Sequence, residues 1–347
     1  MILAAGYGTR LRPLTYSLPK PMMPLCNRPL IGWTVEAFLH AGINDFVVNL
    51  HHLPEPIERY LRARFGGIAR FAFSFEPEIL GTGGGVRKVR ALLERDADFY
   101  LVNGDTIQFP PFQALARTRR AHEALAALTL RHPPQHDRFT AVYLDNGRIT
   151  GFGKGSGEAL MFSGSHLISS RIFGCLPDRD VSGIISDAYE PAIAGKRERV
   201  AGVVDDDGLW FDIGTPARYA EAARALLAAT IRGEIPHAAG SQVAGDSLIH
   251  ETARINGKLE KSSVGMMSRI EPAAIVRDSA IWDGCRVGRG ARLESCIVAH
   301  GVEIPARLDL ANALICAASD AIPSDVAREG ELVIVPINAS ALSPPGL

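Results

Sequence analysis

The stretch MILAAGYGTRLRPLTYSLPKPMMPLCNRPL, residues 1–30, decides how the rest of the chain is read. An apolar run over residues 1–5 passes directly into Gly6-Tyr7-Gly8-Thr9-Arg10, and Pro19-Lys20-Pro21 follows at a short distance. The two glycines remove Cβ atoms where a backbone must approach a ligand or adopt φ > 0. Thr9 and the backbone N–H groups of such a turn can donate to phosphate oxygens. Arg10 adds a planar, permanently charged fork, and Lys20 brings a point charge from a second segment. A strand, a glycine turn and two cations from separate loops predict a polyphosphate site. The third glycine of a dinucleotide fingerprint is absent, since Leu11 stands in its place. The competing reading is a glycine-rich strand-to-helix connection with incidental surface charge.

A chain of 347 residues fits about two domains. Apolar residues make up 47% and charged residues 22%, the balance of a chain with a substantial core. The formal net charge is −1, so no overall field draws nucleic acid or an anionic membrane, and phosphate binding has to come from individually placed cations. Cys26, Cys175, Cys285, Cys296 and Cys316 are dispersed without C-x-x-C spacing. They predict reduced thiols in a cytoplasmic protein, not a disulfide framework or a zinc site. No basic-then-apolar leader opens the chain, and no apolar stretch reaches membrane-spanning length. The first strand starts at Met1 itself, which predicts either a short strand or a misassigned start.

Beyond the glycine turn, Pro29 opens a helical pattern (Leu30, Trp33, Val35, Phe38, Leu39) that stops at Gly42. Residues 46–50 read as a buried strand, 55–65 as helix, 70–75 as strand, 84–93 as helix and 99–103 as strand before Gly104-Asp105. This alternation predicts an α/β fold, a Rossmann-like and mostly parallel sheet with helices on both faces and ligands beyond the carboxyl ends of the strands. Residues 6–10, residues 76–85 and Gly104-Asp105 all fall at such ends and are expected to share one cleft. Further on, 123–130 and 162–168 read as strands, 142–152 as a hairpin over Asp145-Asn146-Gly147, and 183–194 as helix. A short strand at 209–213 precedes Thr215-Pro216, a threonine cap and first-turn proline for a helix over 217–232.

From about Ser241 the texture changes. Val264, Ile270 and Val276, then Val287 and Leu293, and loosely Val298 and Ile304, recur near a six-residue step, with a slip around Ile281-Trp282. Coils of that length must stack to be stable, so the repeat predicts a short parallel β-helix, with a small irregular β domain as its rival. The expected division is a catalytic domain over 1–238 and a β-helix domain over 239–340. Residues 340–347, with Pro344-Pro345, are expected to fray.

The string Leu3-Ala4-Ala5-Gly6-x-Gly8-Thr9-Arg10-Leu11-x-Pro13-Leu14-Thr15, then Pro19-Lys20-Pro21, resembles the signature of the sugar-1-phosphate nucleotidyltransferases, the NDP-sugar pyrophosphorylases. The tail is similar to the left-handed β-helices attached to several of them. The resemblance implies transfer of a nucleotidyl group from a nucleoside triphosphate to a sugar-1-phosphate, with Mg²⁺ as cofactor. It assigns catalytic roles to Arg10, Lys20 and Asp105, with Arg10 on the β/γ-phosphates and Lys20 on the α-phosphate. Nucleotide contacts fall on Ala4, Ala5, Gly6, Gly8, Thr9, Glu76, Gly81 and Thr82, and sugar-phosphate contacts on Gly104, Lys154 and Gly164. The metal falls to Asp105 and to Asp212 of Trp210-Phe211-Asp212-Ile213-Gly214-Thr215-Pro216. Taken singly, Gly-Asp is a common turn and an aspartate before a helix is often a cap. Mg²⁺ needs only one or two carboxylates, because waters and phosphate oxygens complete its shell. The attacking phosphate is already an anion, so positioning and charge neutralisation carry the chemistry.

Small residues around Leu80-Gly81-Thr82-Gly83 are expected to let a base lie against the backbone, and a carboxylate at Glu76 suits either guanine N1/N2 or uracil N3. Two departures from the family pattern stand on the sugar side: Gly153 replaces a glutamate before Lys154, and Ser163 replaces an asparagine before Gly164. The pairing of G-Y-G-T-R-L-R-P-L-T with a short β-helix points to the mannose-1-phosphate guanylyltransferase branch. Thr82-Gly83-Gly84-Gly85 and Phe162-Ser163-Gly164 look closer to uridylyltransferases acting on a hexose- or N-acetylmuramate-1-phosphate. Two other classes remain: a non-catalytic regulatory subunit that binds nucleotide-sugar, and a bifunctional enzyme with an acyltransferase tail using His250 or His300. The His51-His52 pair reads as structural, and the β-helix is expected to assemble a homo-oligomer.

Overall fold

Strand β1 (Ile2–Leu3) is only two residues long, yet it lies in the interior of a nine-stranded sheet. The computed structural model describes residues 1–134, 139–319, 321–323, 326 and 328–338. The expected fraying of residues 340–347 therefore lies outside the described residues. Contact density divides the chain into two units, Met1–Gly6 with Ile31–Trp210, and Tyr7–Leu30 with Phe211–Leu347.

In the first unit the remaining strands of this nine-stranded sheet are β2 (Asp45–Leu50), β3 (Arg70–Phe75), β4 (Asp98–Asn103), β5 (Ala126–Arg131), β6 (Ala141–Asp145), β7 (Arg148–Phe152), β8 (Glu158–Ser169) and β9 (Val200–Val204). They line up as β3-β2-β1-β4-β8-β5-β9-β7-β6. The first four are parallel, as the strand–helix alternation predicts. Helix Pro54–Phe65 makes the crossover from β2 to β3, burying Ile57, Leu61 and Phe65 along one face. Beyond β4 the sheet becomes mixed. β8 runs antiparallel to β4 and β5, β9 parallel to β5, and β7 antiparallel to β9 and β6. The turn between β6 and β7 shows why: Asn146 (φ 47°) and Gly147 (φ 76°) are both left-handed, the two-residue geometry that folds a chain straight back. Leu101, Leu128, Leu130, Ile168 and Tyr189 belong to one buried core cluster of this unit.

At the end of β5, His132 ties three segments together. Its Nδ1 lies 2.7 Å from Asp206 Oδ2, its Nε2 lies 2.9 Å from Glu158 Oε1, and its backbone N–H donates to Asp206 Oδ1 at 2.9 Å. Arg131 adds bonds to the carbonyls of Asp206 and Gly208. No signal in the sequence marked this cluster.

In the second unit, the hairpin of Pro24–Leu25 and Arg28–Pro29 packs onto the carboxyl-terminal part of the chain. Asn27 Nδ2 donates to Ser241 Oγ (3.1 Å) and Val264 O (3.0 Å), and Arg28 Nη2 donates to the carbonyls of Pro236 and His237. Helix Pro216–Ile231 is capped by Thr215, whose Oγ1 accepts from Arg218 N–H. Tyr219 OH of that helix donates to Pro24 O and accepts from Trp282 Nε1 at 2.8 Å, and Arg224 pairs with Asp278 at 2.7 Å. These bonds hold the helix and the early hairpin to the tail, so packing divides the chain elsewhere than at residue 238.

The tail is a parallel β-helix of three sheets. Successive coils pair in parallel, as in Ser263↔Ala280 and Ala280↔Ile297, and cross-coil bonds such as Ser279 N–H to Ser262 Oγ span 17 residues. A coil of 17 residues has two six-residue sides and one of five. The slip read at Ile281 is that short side: Val264, Ile281, Val298 and Ile315 stack as one buried column, at most 1% exposed. A second column is polar. Ser247 Oγ accepts from Ser262 N–H, Ser262 Oγ from Ser279 N–H, and Ser279 Oγ from Cys296 N–H, at 2.9–3.1 Å. His300 Nδ1 accepts from Asp283 N–H in a similar ladder at 3.2 Å, so that nitrogen serves the coil stacking.

All five cysteines are free thiols. Burial pushes Cys26 and Cys285 up to about 12 and Cys316 up to about 11, which keeps these thiols protonated. Among the described residues no helix is long and apolar enough to cross a membrane.

Hydrogen bonds from Asp206, then Glu158, raise the His132 pKa above 6.5. Its contribution to stability is therefore complete below the unfolded value and fades as pH rises through the folded one. The thermal midpoint of wild type minus that of His132→Gln is expected to be largest below about pH 6 and to shrink by about pH 9. A difference that does not change across that range would contradict the latch.

Candidate functional site

The carboxyl ends of β1, β2, β3 and β4 lie along one edge of the first unit, because all four strands run in the same direction. From that edge emerge Ala4-Ala5-Gly6, Asn49, Glu76 and Gly104-Asp105. Ala4 and Ala5 are buried and Gly6 is exposed, with nothing within 4 Å of the position a Cβ would take. Gly104 donates its N–H to Leu3 O at 2.8 Å, and a Cβ there would lie 2.9 Å from Leu3 O. Only glycine lets the turn carrying Asp105 lie so close to β1.

A chain of side-chain bonds crosses these strand ends. Ala4 N–H donates to Asn49 Oδ1 (2.8 Å), Asn49 Nδ2 donates to Glu76 Oε1 (2.8 Å), and Leu80 N–H donates to Glu76 Oε2 (3.0 Å). Glu76 is 0% exposed. Each of its oxygens accepts a bond from within the protein, which fixes where residues 76–80 leave β3. Asn49 was not singled out from sequence, although a polar residue near the end of the apolar run Phe-Val-Val-Asn-Leu is a detectable irregularity.

The glycines of helix Gly81–Lys88 pack closely against another segment of the same unit. Gly81 is left-handed (φ 72°), and a Cβ there would lie 2.6 Å from Ser182 O. At Gly83 it would lie 2.7 Å from Ser182 Oγ, and at Gly84 2.0 Å from Asp180 O. Ser182 O accepts from Gly83 N–H (2.8 Å) and Gly84 N–H (3.2 Å), and Thr82 Oγ1 accepts from Ile184 N–H (2.9 Å). The small residues at Gly83 and Gly84 thus admit residues 180–183 of the same chain. Nothing in the residue pattern pairs Ser182 with this helix.

On the far side of β4, Gly164 is left-handed (φ 103°) and accepts from Gln108 Nε2 at 3.3 Å. Ser163 Oγ donates to Thr129 O, Ser165 Oγ to Thr129 Oγ1, and Trp210 Nε1 to Ser163 O. His166 is buried against Tyr189 OH (3.0 Å), and burial pulls it down to about 3, so it stays neutral. Lys154 is exposed in the turn between β7 and β8.

The second unit carries the remaining motif residues. Gly8 is left-handed (φ 63°), and a Cβ there would lie 3.0 Å from Thr15 Cγ2 and 3.1 Å from Lys20 Cβ. Thr15 Oγ1 and Leu11 N–H both donate to Gly8 O, at 3.0 and 2.9 Å. The glycine turn and Lys20, which is 5% exposed, are thus packed together. Arg10 and Thr9 are exposed. A Cβ at Gly214 would lie 2.8–2.9 Å from the Arg10 guanidinium, so Arg10 rests on the Asp212-Ile213-Gly214 segment. The early and late motifs, some two hundred positions apart, meet here. Asp212 is half-buried, and its carbonyl accepts from Gly214 N–H at 2.9 Å.

A parallel sheet edge bearing glycine turns and a carboxylate defines a nucleotide-handling α/β protein, and the family models agree. The nucleotidyl transferase model matches residues 1–229, and the chain belongs to that family. A second model, the GlmU-like C-terminal hexapeptide, matches residues 231–314. A rice protein named probable mannose-1-phosphate guanylyltransferase 2 (Oryza sativa subsp. japonica) is 28% identical over 91% of this chain and 85% of its own length. Mannose-1-phosphate guanylyltransferase 1 of Arabidopsis thaliana is also 28% identical, with the same coverage. The crystal structure of HddC from Yersinia pseudotuberculosis shares the fold at TM-score 0.54 and 22% identity, covering 65% of this chain and 97% of that one.

Gly6 and Gly84 give opposite expectations. Gly84→Ala should cost about 1–3 kcal/mol in denaturant unfolding, because its Cβ meets a backbone carbonyl. Gly6→Ala should stay within about 0.5 kcal/mol of wild type. Equal costs would contradict the assignment of Gly84 to packing.

Proposed function

We propose that this chain transfers a nucleotidyl group from a nucleoside triphosphate to a sugar-1-phosphate, releasing an NDP-sugar and pyrophosphate, with GTP and mannose-1-phosphate as its substrates. The observation that carries the choice of substrates is the likeness to relatives named mannose-1-phosphate guanylyltransferase over 91% of this chain. Sequence favours one alternative, a uridylyltransferase acting on a hexose- or N-acetylmuramate-1-phosphate, through Thr82-Gly83-Gly84-Gly85 and Phe162-Ser163-Gly164.

In this reading Arg10 and Lys20 neutralise the triphosphate, while Ala4, Ala5, Gly6, Gly8 and Thr9 offer backbone and hydroxyl groups to it. Glu76, Gly81 and Thr82 lie on the base side, and Gly104, Gly164 and Lys154 on the sugar-phosphate side. Arg10, exposed against Gly214, can turn its fork to a phosphate without losing its support. Among the described residues no group of three or more His, Cys, Asp or Glu side chains could hold a metal ion alone. That suits a divalent cation which takes most of its ligands from phosphate and water. We assign it as Mg²⁺, which Asp105 and Asp212 would hold and which would supply positive charge against the phosphates. The attacking oxygen is already anionic, so the protein's own task is to align it and to shield the charge that builds up.

We further take residues 1–238 as the catalytic segment and 239–340 as the β-helix segment of a cytoplasmic homo-oligomer. The regulatory-subunit reading would replace all of this if the chain bound nucleotide-sugar without turnover.

A grid of nucleoside triphosphates against sugar-1-phosphates with Mg²⁺, scored by pyrophosphate, should be strongest for GTP with mannose-1-phosphate. A maximum at UTP selects the alternative, and no signal anywhere rejects transfer. Asp105→Asn should lower the best rate at least about a hundredfold, on the scale of losing one transition-state charge contact, with folding intact by circular dichroism. In sedimentation the full chain should run above the 37.3 kDa of one copy; a monomer at that mass discards the oligomer.

A further inference from the structure

We propose that Gln108 reads a hydroxyl group of the acceptor sugar and so sets which sugar-1-phosphate is used; the inference rests on the transferase reading above. Gln108 follows β4 by one turn and is 6% exposed. Its Nε2 donates to Gly164 O at 3.3 Å. A carbonyl can only accept, so Gly164 selects the NH₂ side of the amide and turns Oε1 away from itself. Among the described residues no donor reaches that oxygen. Buried amide oxygens without a partner are rare, and each calls for an explanation.

The surroundings point to a ligand. A Cβ at residue 164 would lie 3.0 Å from Asn103 Nδ2 and 3.5 Å from Gln108 Nε2, so the glycine keeps clear the space beside two amides. Neighbouring polar groups are already satisfied: both Ser163 and Ser165 hydroxyls bond to Thr129, and Trp210 Nε1 bonds to Ser163 O. Gln108 Oε1, by contrast, is buried without a partner among the described residues, close along the chain to the Gly104-Asp105 turn. An acceptor lone pair repels phosphate oxygens and welcomes an O–H donor, so the group it fits is a sugar hydroxyl. The other orphaned atoms offer no such case: Thr34 Oγ1 is enclosed within helix Leu30–His40. Asp98 and Arg119 pair with each other at the opposite end of β4, and Ser182 Oγ lies against Gly83.

The test compares wild type with Q108L and Q108M on glucose-, mannose- and galactose-1-phosphate and on their mono-deoxy analogues, by pyrophosphate release. In wild type, removing the one hydroxyl that is read should lower kcat/KM about 10- to 100-fold more than removing any other. Both variants should lose a similar factor on the parent sugar and none further on that analogue, with the KM for the triphosphate unchanged. Variants that keep the wild-type ranking of sugars overturn the assignment of Gln108 and leave the transferase standing. If neither variant folds, the wild-type deoxy series decides alone, and equal losses at every hydroxyl overturn it. A wild type that turns over no pair removes the transferase reading instead. Gln108 is then judged by calorimetric binding of the same sugar phosphates, and binding that Q108L leaves intact also overturns it.

Discussion

A carboxyl group withdrawn from water survives only where hydrogen-bond donors take the place of the solvent, and the Glu76 side chain meets that condition twice. Asn49 Nδ2 and Leu80 N–H serve its two oxygens, and Asn49 Oδ1 reaches on to Ala4 N–H. One continuous set of bonds therefore joins the ends of three parallel strands to the start of helix Gly81–Lys88. Each bond is worth only about 1 kcal/mol net, but losing a partner would strand a buried polar group at a cost of roughly 1–3 kcal/mol. The edge where the candidate residues emerge is held in register by this constraint as much as by the sheet.

Glycine does two kinds of work around that edge. Gly6 is open and exposed, which suits a backbone approached from outside. Gly81, Gly83 and Gly84 are closed over by residues 180–183, and Gly104 by β1. A glycine-rich motif is thus not one feature. Part of it lies open at the surface, and part lets the protein fold tightly enough to present the rest.

The elements were legible where periodicity or turn chemistry fixes the answer. Residues 46–50 and 99–103 carry the apolar runs of largely buried strands, residues 70–75 alternate as an edge strand does, and Asn146-Gly147 writes its own hairpin. The mixed half of the sheet was less legible, since β5, β8 and β9 differ little in composition and only pairing decides their direction. At the candidate site, the glycine turn, Lys20 and the Asp212 segment were readable because their residue types are tied to charge and close approach. The enclosure of Glu76 was not legible, because a carboxylate beside glycines looks the same in sequence whether it is exposed or buried. Gln108 and Ser182 left no trace, because an amide or hydroxyl acquires meaning only from neighbours that are remote in sequence.

The 17-residue coil has a consequence for how such a tail can change length. Its apolar column and its serine hydroxyls repeat only after a whole turn. Deleting one six-residue side would shift every later residue onto the wrong face and break the cross-coil serine bonds. Gain or loss of a complete turn would instead leave each stacking interface intact. Lineages carrying this tail are therefore expected to vary in length by whole turns, so that chain length itself becomes a quantised trait.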